Sequence, residues 1–262
     1  MGPAPKKLLP PMTRREALAL SGQAMVALAA NAANVPAAAE MTSGAATGKK
    51  SGDAAINVAF LLGQHNTLID LAGPWEILSS SAYSGGAFNV YCVAATRSPV
   101  LCDDGRGAGE SHMSQMPLSG LTIVPDYTFD TAPQPRVIII GAQTSDDATE
   151  RRSIDWIRRA AGKAELTASV CTGAYLLART GLLDGKPATT NRNAYADFEK
   201  TFPRVKLVRG VRFVDAGTIA SATGLTAGVD LSLHIVERYF GRETAEAVAT
   251  YEEWPGNAWR GS

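Results

Sequence analysis

The chain has 262 residues, 45% of them hydrophobic and 19% charged, which is enough for one large core with the balance of a globular protein. Lys plus Arg and Asp plus Glu each number 25, and no basic run lies beyond the first residues; this excludes recruitment of nucleic acid or anionic lipid by bulk charge and leaves a small molecule as the expected partner. Three cysteines, Cys92, Cys102 and Cys171, exclude a disulfide scaffold, and the scattered His65, His112 and His234 have no zinc-like spacing, so neither metal nor cofactor is expected.

Residues 1–39 have the layout of a signal peptide. Lys6, Lys7, Arg14 and Arg15 form a positive region, Ala17 to Ala30 is mostly Ala, Leu, Val and Met, and Val35 to Ala39 is a small-residue run. The apolar part is short for a permanent span, so cleavage with no remaining membrane anchor is expected. Thr13-Arg14-Arg15-Glu16-Ala17-Leu18 is similar to a twin-arginine signal, without the usual aromatic or leucine two places after the arginines. A periplasmic or secreted protein is the expectation. Residues 40–54 are rich in Gly, Ser, Thr, Lys and Ala and read as a flexible tether, which leaves 55–262 as the functional domain.

Within that domain Ile56 to Leu62 reads as a buried strand, and Pro74-Trp75-Glu76-Ile77-Leu78 as the opening of a helix. Phe88 to Ala94 and Val100 to Cys102 flank Thr96-Arg97-Ser98-Pro99 and predict a hairpin, followed by a polar loop from Asp103 to Gly120. Strands are predicted at 136–141, 165–170 and 188–191, and helices at 153–161 and 172–180. A last long helix beginning near Thr226 places Val229, Leu233, Val236 and Phe240 on one face. Such alternation argues an α/β fold, a mostly parallel sheet with helices on both faces, whose ligands bind at the carboxyl ends of the strands.

Leu166-Thr167-Ala168-Ser169-Val170 runs directly into Cys171-Thr172-Gly173-Ala174, so the thiol falls where a buried strand turns into a helix. Two readings stand at this point. A side chain there points out at the top of the sheet, near a helix N-terminus that favours a thiolate; most free cysteines, however, are small buried hydrophobes. Asp70 lies just before the first helix, at the same sheet edge, as an N-cap or as an acid beside the thiol. A carboxyl and a thiol in contact would share one proton.

Five segments carry a resemblance that spans nearly all of the domain: Ile69-Asp70-Leu71-Ala72-Gly73-Pro74-Trp75-Glu76, Leu121-Thr122-Ile123-Val124-Pro125-Asp126, Ser169-Val170-Cys171-Thr172-Gly173-Ala174, Gly181-Leu182-Leu183-Asp184-Gly185, and Thr223-Gly224-Leu225-Thr226-Ala227-Gly228-Val229-Asp230. Together they resemble the ThiJ/PfpI superfamily, with its flavodoxin-like, class I glutamine amidotransferase-like fold. Thr172 after the cysteine, in place of the His of peptidase-like members, resembles the isonitrile hydratase-like group. The resemblance implies Cys171 as nucleophile, Asp70 as its acid, Thr172 beside them and a homodimer. It implies hydration of an isonitrile to an N-substituted formamide, with glyoxalase-like or deglycating action on reactive carbonyls as the alternative enzyme.

Two departures from the family pattern bear on the site. Gly141-Ala142-Gln143 stands where members often have Pro-Gly-Gly, so Gln143 is the expected backbone donor to an oxyanion. Asn191-Arg192 follows Thr189-Thr190 where many relatives carry His, so a ready general base is missing and Asn191 is expected among the substrate-binding groups. His65 is the one histidine of plausible position to replace it, with a solvated loop role as its simpler reading.

A non-enzymatic role is the other class. The fold also serves as the sensing half of transcription regulators, but about twenty residues after the last long helix are too few for a helix-turn-helix. A redox sensor with an exposed, low-pKa thiol is a further alternative. Cys92 and Cys102 are placed symmetrically about the turn, either as a disulfide across the hairpin or as two packed thiols. Trp254 and Trp259, in a C-terminal tail rich in Gly and Pro, are expected to pack on the domain or on a partner subunit.

Overall fold

The computed structural model describes residues 55–103 and 120–260. The chain divides into Met1–Gly52 and Asp53–Ser262, and everything below concerns the second unit. The leader, the tether and most of the polar loop between Asp103 and Gly120 lie outside the described residues.

Strands β1 (Ile56–Leu61), β3 (Phe88–Ala94), β6 (Tyr127–Thr128), β7 (Val137–Ile140), β8 (Leu166–Val170), β11 (Phe213–Asp215) and β12 (Ile219–Ala222) form one sheet in the order β11-β12-β8-β7-β1-β3-β6. All its pairings are parallel except that of the edge strand β11 with β12. Continuous apolar runs dictate the centre: Val137, Ile138, Ile139 and Ile140 are all buried, as a strand covered on both faces must be. Each such side chain contributes roughly 1.5–3 kcal/mol on leaving water.

Two cores sit on opposite faces, and strand alternation sorts residues between them. Val58 and Phe60 of β1 join the core built with helices α1 (Leu68–Ser80), α5 (Ala227–Phe240) and α6 (Arg242–Tyr251). Ala59 and Leu61 join the core built with α2 (Asp147–Ala161), α3 (Gly173–Arg179) and α4 (Tyr195–Thr201). This is the flavodoxin-like arrangement that the alternation of elements implies. Trp259 of the tail is 1% exposed and belongs to the first core.

Several boundaries differ from expectation. Helix α1 begins six residues before Pro74, which lies inside it and removes an N–H that the Asp70 carbonyl would otherwise accept. Pro74 is tolerated where α1 crosses α5 closely, its ring facing Gly228. Asp70 is therefore in the first helical turn rather than at the N-cap, which is Thr67. Helix α2 starts at Asp147 because the Asp146 carboxylate accepts from Thr149 N at 2.8 Å, a cap followed by Asp147 and Glu150 in the first turn.

The expected hairpin does not form. Strand β3 pairs with β1, whereas β4 (Val100–Asp103) lies in a separate sheet between β2 (Asn66–Thr67) and β5 (Leu121–Ile123). Cys92 and Cys102 are both free and buried, the packed-thiol arrangement of the two expected for them. Burial foremost pushes their thiols up, to about 12 and about 11. The strand expected at 188–191 shortens to β9 (Pro187–Ala188), paired with β10 (Lys206–Leu207) outside the main sheet.

Candidate active site at the carboxyl edge of the sheet

Four adjacent strands, β12, β8, β7 and β1, deliver their following loops to one place. Cys171 follows β8 with φ 59°, a left-handed conformation that costs an L-residue roughly 1–2 kcal/mol. Such strain persists only where surrounding bonds over-determine it. Here Cys171 N donates to Ala222 O at 3.1 Å, and Thr190 Oγ1 donates to Cys171 O at 3.0 Å. Opposite the side chain stands Gly224, φ 133°, where a Cβ would lie 3.0 Å from the Cys171 sulfur. Only glycine leaves room for the thiol.

Asp70 is fully buried. Its Oδ2 accepts from Ala142 N at 3.2 Å and its Oδ1 from Leu225 N at 3.0 Å, while the Cys171 thiol hydrogen-bonds to the same carboxyl. Burial raises Asp70 to about 6, outweighing those three donors, which all pull the other way. Burial, followed by the Asp70 charge, pushes the Cys171 thiol up to about 11, against hydrogen bonds from Asn191 and from the Thr172 amide. Between those two values the pair holds a single proton. A redox-sensing role would call for an exposed, acidic thiol, whereas Cys171 is 7% exposed and its thiol is pushed up.

The other expected residues divide. Asn191 Nδ2 donates to Cys171 Sγ at 3.3 Å, and its Oδ1 is fixed by Asn193 N at 2.9 Å, so the side chain that replaces the family's histidine points a donor at sulfur. Thr172 brings its backbone N–H to the same atom. The Gln143 side chain is turned elsewhere: its amide packs against Gly63, buried, with no partner among the described residues. The Ala142 amide, one residue earlier, is the group from that turn that reaches the pair, through Asp70. His65 Nδ1 lies 2.7 Å from Asp103 Oδ2 and hydrogen-bonds to neither Cys171 nor Asp70. Sequence reasoning missed Leu225, Gly224 and Thr190. The first acts through its backbone amide, which no side-chain pattern reveals.

The raised acid gives a stability prediction. A folded value near 6 against an ordinary 3.8 means that the contribution of Asp70 to stability is fully present below pH 3.8 and is lost as pH rises through 6. The loss is about 3 kcal/mol in all. Asp70→Asn removes this titration, so the stability difference between variant and wild type should change by that order between pH 4 and pH 7 in urea unfolding. A difference independent of pH would contradict a neutralised, buried Asp70.

A strained thiol at a strand-to-helix turn of a parallel α/β sheet, bonded to a buried carboxyl, defines a nucleophile-elbow type of site. The chain belongs to the DJ-1/PfpI family, whose pattern matches residues 56–238. It is 30% identical over 202 residues to the isonitrile hydratase of Pseudomonas putida, across 76% of this chain and 79% of that protein. It is 31% identical over 194 residues to the HTH-type transcriptional regulator GbdR of Pseudomonas aeruginosa. That match takes in 74% of this chain but only 49% of the regulator, so the chain spans about half the regulator's length. A solved ThiJ/PfpI family protein from Pseudomonas syringae superposes with a TM-score of 0.60 at 26% identity, over 78% of this chain and 77% of that one.

Proposed function

We propose that the protein is an exported, homodimeric cysteine enzyme that hydrates a small organic isonitrile to an N-substituted formamide. The observation that carries the reading is the one-proton pair of Cys171 and Asp70 with Asn191 Nδ2 and the Thr172 amide directed at sulfur. The likeness to the P. putida hydratase supports the substrate class. Cys171 sulfur bonds to the terminal isonitrile carbon, and the proton held by the pair passes through Asp70 to that same carbon, giving a thioimidate. Water then adds across the C=N bond, its oxygen to the carbon and one of its protons to the nitrogen. The C–S bond breaks as the second water proton passes to the Cys171–Asp70 pair, and the formamide leaves with the first proton kept on its formyl carbon. Asn191 and the Thr172 N–H stabilise the sulfur anion at both stages. Arg14-Arg15 with the apolar stretch after it supports export, and family resemblance supports the dimer.

One preparation tests the proposal. Protein recovered from the periplasmic fraction of the producing cell should be shortened at its N-terminus, sediment as a dimer, and convert a simple alkyl isonitrile to formamide detected by NMR. Turnover should rise as pH passes through about 6, where the pair loses its first proton. Activity surviving in Cys171→Ala would overturn the mechanism. Retention of the full-length chain in the cytoplasm would overturn export. The match to GbdR favours a second reading, ligand sensing without turnover, which predicts saturable isonitrile binding and no formamide.

A further inference from the structure

Leu225 has φ 52°, left-handed for a residue with a bulky side chain, and that side chain is 47% exposed. The residue whose N–H holds Asp70 is thus only half covered, and polar bonds fix the turn around it. They converge on Arg212. Its carbonyl accepts from Thr223 N at 2.9 Å and from Thr223 Oγ1 at 3.2 Å, on one side of the turn. Its guanidinium donates from Nη1 and Nη2 to Thr226 Oγ1, each at 3.2 Å, on the other side. Thr226 is the N-cap residue of α5, yet its hydroxyl caps no helix amide and turns to Arg212 instead.

The guanidinium is itself aimed. Arg212 Nε donates to Asp230 Oδ2 at 2.6 Å and Nη2 contacts the same oxygen, while Trp254 Nε1 donates to Asp230 Oδ1 at 3.1 Å. Asp230 is 1% exposed, and a carboxylate so buried is tolerated only when paired on this scale. Trp254 thus ties the C-terminal segment into the chain Asp230–Arg212–Thr226.

We propose that Arg212 is a positioning residue that staples the 223–226 turn from both ends and so keeps the Leu225 N–H on the Asp70 carboxyl. The inference rests on the reading of Cys171 and Asp70 as the reactive pair. The titratable group facing Asp70 directly is Cys171; Glu76 of α1 and Asp103 of β4, the latter paired with His65, line the cleft beside Ile69 and Leu225. Releasing the turn withdraws a donor from the charged carboxylate, so Asp70 should then hold its proton to higher pH.

The test reads the thiol without any substrate. The iodoacetamide reaction rate at Cys171 in the full chain is followed by peptide mass spectrometry from pH 4.5 to 8.5, with thermal melts as the check of folding. Arg212→Gln and Thr226→Val should shift the acid limb upward by about half a pH unit or more. Thr226→Ser, which keeps the hydroxyl, should follow the wild type. Profiles of folded Arg212→Gln and Thr226→Val that superimpose on the wild type would overturn the proposal. Thr226 is exposed, so its two variants decide the matter even if Arg212→Gln does not fold. Absence of formamide in the wild type would sink the hydratase reading alone, since alkylation needs no isonitrile.

Discussion

Replacing Cys171 with glycine should abolish formamide formation, by on the order of a thousandfold or more, while leaving the melting temperature almost unchanged. The thiol is buried, and its removal forfeits about 1–1.5 kcal/mol of apolar burial. Against this, glycine relaxes the left-handed backbone at φ 59°, returning roughly 1–2 kcal/mol. The two nearly cancel. Cys92→Gly is the control: that residue is equally buried in the regular strand β3, without a positive φ, so the exchange opens a cavity with no relief. It should cost about 2–4 kcal/mol. Chemical denaturation of both variants decides, and equal destabilisation would show that the strain at Cys171 is not stored for function.

Gly173→Ala is expected to prevent folding altogether. A Cβ at Gly173 would collide with the carbonyl oxygen of Ile140 and stand 2.8 Å from that of Gly141. Both are backbone atoms, of the last residue of β7 and the one after it, so neither yields as a flexible side chain would. A cost above about 4 kcal/mol would consume much of the roughly 5–15 kcal/mol by which a domain is stable. Gly162→Ala, at the end of α2, meets nothing nearer than 3.6 Å and should be close to neutral. Soluble yield and circular dichroism separate the two; a folded Gly173→Ala protein would mean that α3 can slide away from β7.

The parts of the fold legible in the sequence were those written in long apolar runs. Strands β7 and β8 are buried throughout and β1 at every residue but Asn57, and Cys171 directly follows β8, so its place at the sheet edge follows from Leu166 to Val170. Strand β12, with the sequence Ile-Ala-Ser-Ala, carries no such signal, although it completes the wall behind the thiol. Pro74 reads as a helix start under the usual rule, and the crossing of α1 with α5 overrides that rule. The hairpin failed because local turn chemistry around Pro99 says nothing about which sheet the next strand joins. Within the site, Asp70 and Asn191 were visible as residue types. The donors that hold Asp70 are the backbone amides of Ala142 and Leu225, and every residue but proline has one.

The bond between Asp70 and Leu225 closes over 155 residues, and that between Asp70 and Ala142 over 72. Contacts of such separation are costly for a folding chain, because the closure entropy must be met before they stabilise anything. During synthesis the first helix is complete long before residue 225 emerges. Until β12 docks, Asp70 lacks one of its two amides, and Cys171 has neither its carbonyl acceptor on Ala222 nor Gly224 opposite it. The paired thiol therefore requires the sheet to be closed through β12. A nascent or partly folded chain presents only an ordinary cysteine, and the proton shared with Asp70 belongs to the native state alone.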